Sequence, residues 1–214
     1  MKRAVNVAAI ALASLWAAPL IAQRPLGVSG SAGITVVELA REGTLSRRWS
    51  GSMMGARGAV TLHRFTLDAS YAQGAVTPGV GTLGDGEDLV DGAVQLRVWV
   101  LPWLSVGGGP HLRAFVSPAG TSRWTRFEAR ARAEGEIING IAFAHFEGWY
   151  ALAVDANVLG GGSGAQGGEA GISIRLPRAP IALQLIYSAD RATFTNGGSE
   201  FLEGVRFSLA FERF

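Results

Sequence analysis

Residues 126–137 read RFEARARAEGEI, and every second residue from Arg126 to Glu136 is charged. In a β-strand successive side chains point to opposite faces. As a strand this segment sets Arg126, Glu128, Arg130, Arg132, Glu134 and Glu136 on one side, with Phe127, Ala129, Ala131, Ala133, Gly135 and Ile137 on the other. Composition alone also fits an exposed helix rich in Ala, Arg and Glu. The rest of the chain decides, because the same period of two recurs along it.

HRFTLDASYAQ places Phe65, Leu67, Ala69 and Tyr71 opposite Thr66, Asp68 and Ser70. LVDGAVQLRVWV sets Val90, Val94, Leu96, Val98 and Val100 against Asp91, Gln95, Arg97 and Trp99, then stops at Leu101-Pro102-Trp103 because Pro cannot continue a ladder. LSVGGGPHLRAFV opposes Leu104, Val106, Leu112, Ala114 and Val116 to Ser105, His111, Arg113 and Phe115. RFEARARAEGEI itself ends at Asn139-Gly140, a strong two-residue hairpin signal. Residues 141–158 keep one parity, with His145, Glu147, Trp149, Asp155 and Asn157 on the polar side, before GGGSGAQGG, which reads as a flexible loop. EAGISIRL, IALQLIYSAD and VRFSLAFERF complete the set, with Arg175, Gln184, Ser188, Asp190, Arg206, Ser208 and Glu212 on polar faces. Residues 28–40 and 48–62 alternate less cleanly. The count is ten strands, with eight as the alternative. Short connections are expected near His63, Pro102, Asn139-Gly140 and Leu176–Pro180, and longer ones at 41–47, 76–88, 117–123, 159–168 and 192–200. This is an all-β, antiparallel up-and-down meander with both termini at the tight-turn end.

The ends say where the chain travels. MKR supplies a basic start and AVNVAAIALASLWAAPLIA an apolar segment, with a small-residue site at Ala22 before Gln23. That is the layout of a secretory signal peptide over residues 1–22, leaving 23–214 as one exported domain. Without Lys2 and Arg3 the 19 Lys plus Arg become seventeen, equal to the 17 Asp plus Glu. A domain with no net charge lacks the positive field that nucleic-acid binding requires. The absence of Cys excludes disulfides and thiolate metal sites.

Alternation does not say which solvent lies on which side. In a soluble sandwich or lipocalin-like binding barrel the apolar face points inward, whereas in an outer-membrane barrel it meets lipid. The polar faces carry Arg57, Arg97, Arg113, Arg126, Arg130, Arg132, Arg175 and Arg206 with Asp68, Asp91, Glu128, Glu134, Glu136, Glu147, Asp155, Glu169 and Glu212, eight bases against nine acids. Such near-neutrality suits a confined lumen, where unpaired charge is costly. Trp99, Trp103, Trp149, Tyr71, Tyr150, Tyr187 and Phe211 lie near strand ends or turns, as interfacial girdles require. The C-terminus, EGVRFSLAFERF, contains Glu203-Gly204-Val205-Arg206-Phe207-Ser208-Leu209 and ends in Phe214. It resembles the C-terminal assembly signal of bacterial outer-membrane β-barrel proteins, carried by Gly204, Phe207, Leu209 and Phe214, with Phe214 out of phase with Phe207, Leu209 and Phe211. The resemblance implies an outer-membrane location, with membrane lipid and the barrel-assembly machinery as partners.

Catalytic material is sparse. His145 and Glu147 share a polar face, two residues apart, and the blander reading is a hydrogen-bonded lumen pair. Asp85, Glu87 and Asp88 in GDGED lack calcium-loop spacing and read as a solvated loop. GVGTLG lacks the strand-to-helix context of a dinucleotide loop. No metal and no cofactor are expected. The expected function is that of a non-enzymatic structural or surface barrel, or a narrow pore with an ion-paired lumen. A barrel enzyme acting on envelope lipid through His145, and a soluble binding barrel, are the alternatives.

Overall fold

Ten antiparallel strands account for most of the described residues, and each pairs with its sequence neighbours. The computed structural model describes residues 24–43, 46–79, 85–157, 161–176 and 179–213. The segment 1–22, expected to be a signal peptide, and Phe214 lie outside the described residues. The strands are β1 (Arg24–Glu42), β2 (Arg47–His63), β3 (Phe65–Pro78), β4 (Glu87–Leu101), β5 (Leu104–Ser117), β6 (Gly120–Ile138), β7 (Ala142–Ala156), β8 (Gly162–Arg175), β9 (Ile181–Phe194) and β10 (Ser199–Arg213). β10 returns to β1, from Val28 opposite Arg213 to Glu42 opposite Ser199, so the sheet closes into a barrel without edges.

The register fixes the shape of that barrel. Paired residues followed once round from Val28, through Val60, Leu67, Leu96, Gly108, Ala129, Tyr150, Gln166, Arg191 and Phe201, return to β1 at Ala40. With ~3.3 Å per residue and ~4.8 Å between strands, a stagger from 28 to 40 tilts ten strands by roughly 40°, in the range of transmembrane barrels. The same geometry gives a backbone radius of about 10 Å, which inward side chains largely fill.

The faces sort by parity. Outward positions include Leu26, Ile34, Met54, Phe65, Leu67, Leu96, Phe127, Phe146, Leu152, Ile172, Leu185, Phe207 and Leu209, all exposed. The inward positions include buried Asp68, Arg97, Arg113, Arg126, Glu128 and Glu147. A continuous apolar exterior round a charged interior is the reverse of a soluble barrel, so the lipocalin-like alternative fails on this point.

The structure explains one weakness of the sequence reading and departs from it in three further features. β1 and β2 alternate poorly because the interior beside them is itself apolar: Val37, Leu39, Trp49 and Met53 are buried inside while Ile34, Val36 and Met54 face out. The stretch 162–168 is strand, not flexible loop. A Cβ at Gly162 would stand 2.8 Å from the Trp124 ring, and one at Gly167 2.6 Å from the Trp149 ring. These glycines make room for tryptophans. The long loops largely shrink as well, since β5 and β6 are joined across Pro118-Ala119 alone. Finally, Trp99 and Trp149 belong to the interior, where their indoles donate to Thr66 Oγ1 at 3.0 Å and Asp190 Oδ2 at 3.2 Å, leaving Trp103, Tyr71, Tyr150, Tyr187 and Phe211 outside. At the β6–β7 turn Gly140 takes φ 68°, as the Asn-Gly pair predicts.

Candidate functional site

The barrel interior has three storeys. Farthest from the termini, Leu39, Val76, Leu89, Phe115 and Trp124 pack together from five strands, each at most 1% exposed. Arg41 joins this cap, its guanidinium stacked 4.5 Å from Phe115 and 5.0 Å from Trp49, and bonded to Glu200 at 2.9 Å and Glu87 at 3.1 Å. Strands β1, β4 and β10 are thereby tied across the lumen.

The middle storey is a buried ionic network. Asp190 Oδ1 accepts from Arg126 at 2.9 Å and Arg113 at 3.2 Å. Arg113 also donates to Asp91 at 2.9 Å. His111 lies between two carboxylates, 2.8 Å from Glu128 and 3.0 Å from Asp91. Arg130 forks onto Glu128 at 2.6 and 3.0 Å, reaches Glu147 at 2.6 Å, and stacks 4.9 Å from Trp149. Glu128 and Glu147 are fully buried, so each depends on these partners for solvation. The charged stripe of β6 supplies Arg126, Glu128 and Arg130 here because its alternate residues all point to the axis.

The lowest storey opens toward the termini as a vestibule of about 590 Å³. Arg97 bridges Asp68 at 2.8 Å and Glu147 at 3.8 Å. Arg132 meets Glu134 at 3.3 Å and both Glu147 and Glu169 at 3.5 Å. Arg206 lies 3.5 Å from Glu169, and Arg175 stacks 4.1 Å from Phe143. Glu136, near the mouth, accepts from the amide of Gly140. His145 faces Glu169 at 3.3 Å rather than Glu147, which the arginines surround. Among the described residues no cluster of His, Asp and Glu forms a metal site.

Of the lumen residues expected from the sequence, Arg97, Arg113, Arg126, Glu128, Arg130, Arg132, Glu134, Glu136, Glu147, Arg175 and Arg206 all lie on the inward parity. Asp155 does not. Phe127 pairs with Ala153 but Glu128 pairs with Ala151, so Leu152 is an extra residue, and beyond this bulge Val154 turns inward and Asp155 outward, exposed. Asp190, Arg41 and Glu200 enter the interior without having been singled out as site residues. Asp190 was findable, since it continues the inward parity of Gln184 and Ser188. Arg41 and Glu200 sit where alternation is blurred by the cap.

Of the C-terminal set, Gly204 faces in while Phe207 and Leu209 are exposed outside, on the strand that closes the barrel.

No protein-family model and no curated protein matches the sequence. Similar solved structures are bacterial outer-membrane barrels. Outer membrane protease OmpT from Escherichia coli matches with TM-score 0.52 at 8% identity, over 88% of this chain and 96% of that one. The translocator domain of autotransporter NalP from Neisseria meningitidis gives 0.45 at 14%, over 100% and 98%. Ail, the attachment invasion locus protein of Yersinia pestis, gives 0.35 at 12%, over 88% and 100%. At 8% identity the likeness to OmpT is one of fold alone.

Proposed function

We propose that this chain, which has the fold of bacterial outer-membrane β-barrels, is a non-enzymatic structural or surface barrel whose lumen does not conduct. The observation that carries the reading is the cap. Leu39, Val76, Leu89, Phe115 and Trp124 pack together at the far end of the interior, each at most 1% exposed, and Arg41 ties the layer across. Below it the network through Asp190, Glu128 and Glu147 fills the axis with paired charge. A pore needs a continuous wet path, and here apolar and ionic layers close it in series.

In this reading the signal peptide directs export, the apolar exterior meets outer-membrane lipid, and the barrel-assembly machinery engages β10 through the segment Gly204, Phe207 and Leu209. Nucleic acid has no place in it. The test is single-channel recording in planar bilayers after reconstitution of the mature chain. No unitary conductance is expected. Steady, reproducible openings of the wild-type protein would refute the plugged reading and restore the narrow pore.

A further inference from the structure

On the vestibule floor several cations share one carboxylate. The Glu169 carboxylate is approached by Arg57 at 3.6 Å, Arg132 at 3.5 Å, Arg206 at 3.5 Å and His145 at 3.3 Å. Charge-assisted bonds settle at ~2.7–2.9 Å, so one carboxylate is shared loosely among three guanidinium groups. Arg57 and Arg97 share a second, Asp68, at 3.2 and 2.8 Å, yet the buried Nε of Arg97 has no hydrogen-bond partner.

The placement of the charges is lopsided. Asp68, Glu147 and Glu169 are almost completely buried within the lumen and do not line the cavity, whereas the side chains of Arg57 and Arg206 stay 21% and 31% exposed. Arg57, Arg97, Arg132 and Arg206 line the cavity, which holds carboxylates only at Glu134 and Glu136. A volume of about 590 Å³ is that of a small-molecule site. The guanidinium groups keep donors that Glu169 alone does not satisfy, in a recess where water competes less than at an open surface.

We propose that this vestibule binds a small multivalent oxyanion, entering from the end that carries both termini and bonding to Arg57, Arg132 and Arg206 beside Glu169. The site is independent of whether the barrel conducts. It is tested by isothermal titration of the mature chain in zwitterionic detergent with pyrophosphate, citrate and, as a neutral control, glucose. At low ionic strength pyrophosphate or citrate is expected to bind saturably and glucose not at all. Which of the two binds tells a phosphate ligand from a carboxylate one.

Arg206→Gln is expected to weaken binding at least about tenfold, as loss of a charge-assisted bond does. Ser31→Glu adds a carboxylate at a wall position whose cross-strand partner is Arg57, removes no member of the ionic network, and is expected to weaken it comparably. Arg48→Gln, on the outside, should leave affinity unchanged. Should Arg206→Gln fail to fold, Ser31→Glu decides alone. Absence of saturable binding by both anions, or unchanged affinity in the folded vestibule variants, overturns the proposal.

Discussion

Glu128 shows how much a single residue carries in this interior. Its two oxygens serve His111, Arg126 and Arg130 within 3.2 Å, and water reaches none of them freely. Removing one member of a buried network strands the others as uncompensated charge, so Glu128→Ala should lower unfolding stability by about 3–5 kcal/mol in a urea titration of the lipid-reconstituted protein. Asp155→Ala should change it by no more than about 0.5 kcal/mol, because that side chain is outside and exposed. A comparable loss in both would mean that Asp155 does line the lumen. Parity was enough to put Arg126, Glu128 and Arg130 on one face, since one uninterrupted strand fixes all three. It misplaced Asp155 because an extra residue at Leu152 shifts the phase, and a bulge built without glycine carries no composition of its own.

β8 shows what elements add to residues. Its glycine-rich start reads as a loop when glycine is taken for flexibility, but β6 and β7 set the Trp124 and Trp149 rings against it, and only a missing Cβ admits them. Gly167→Ala should therefore destabilise the barrel by about 1–3 kcal/mol through overpacking against Trp149, measured in the same urea titration. Gly58→Ala, whose added Cβ would meet nothing within 4 Å, should be neutral or slightly stabilising. Equal effects at both sites would show that Trp149 does not occupy the lumen. β3, β4 and β5 were legible residue by residue, because they separate lipid from charge along most of their length. β1 and β2 were not, since apolar side chains on both faces near the cap erase the period. Loop lengths suffered the same way: strands of 14–19 residues run well past the ~9–11 that span the hydrocarbon, and turn-rich composition beyond the membrane does not announce a ladder.

At the scale of the molecule the fold follows from two solvents meeting one sheet. Lipid takes the apolar parity, the closed register removes the edges, and the tilt leaves an interior too narrow to hold open water through its capped and ion-paired layers. Strand number, the position of both termini at one end and the sense of the faces were readable from the chain; the cap was not, because it is assembled from single residues of many strands that no local pattern connects. The claim that the apolar parity faces outward on a closed barrel is tested most directly by the gel mobility of the purified mature chain in detergent, with and without boiling. A folded band that migrates apart from the heat-denatured one, from a protein that needs detergent to stay in solution, is the expected result. One mobility before and after boiling, in a protein that stays soluble without detergent, would contradict it.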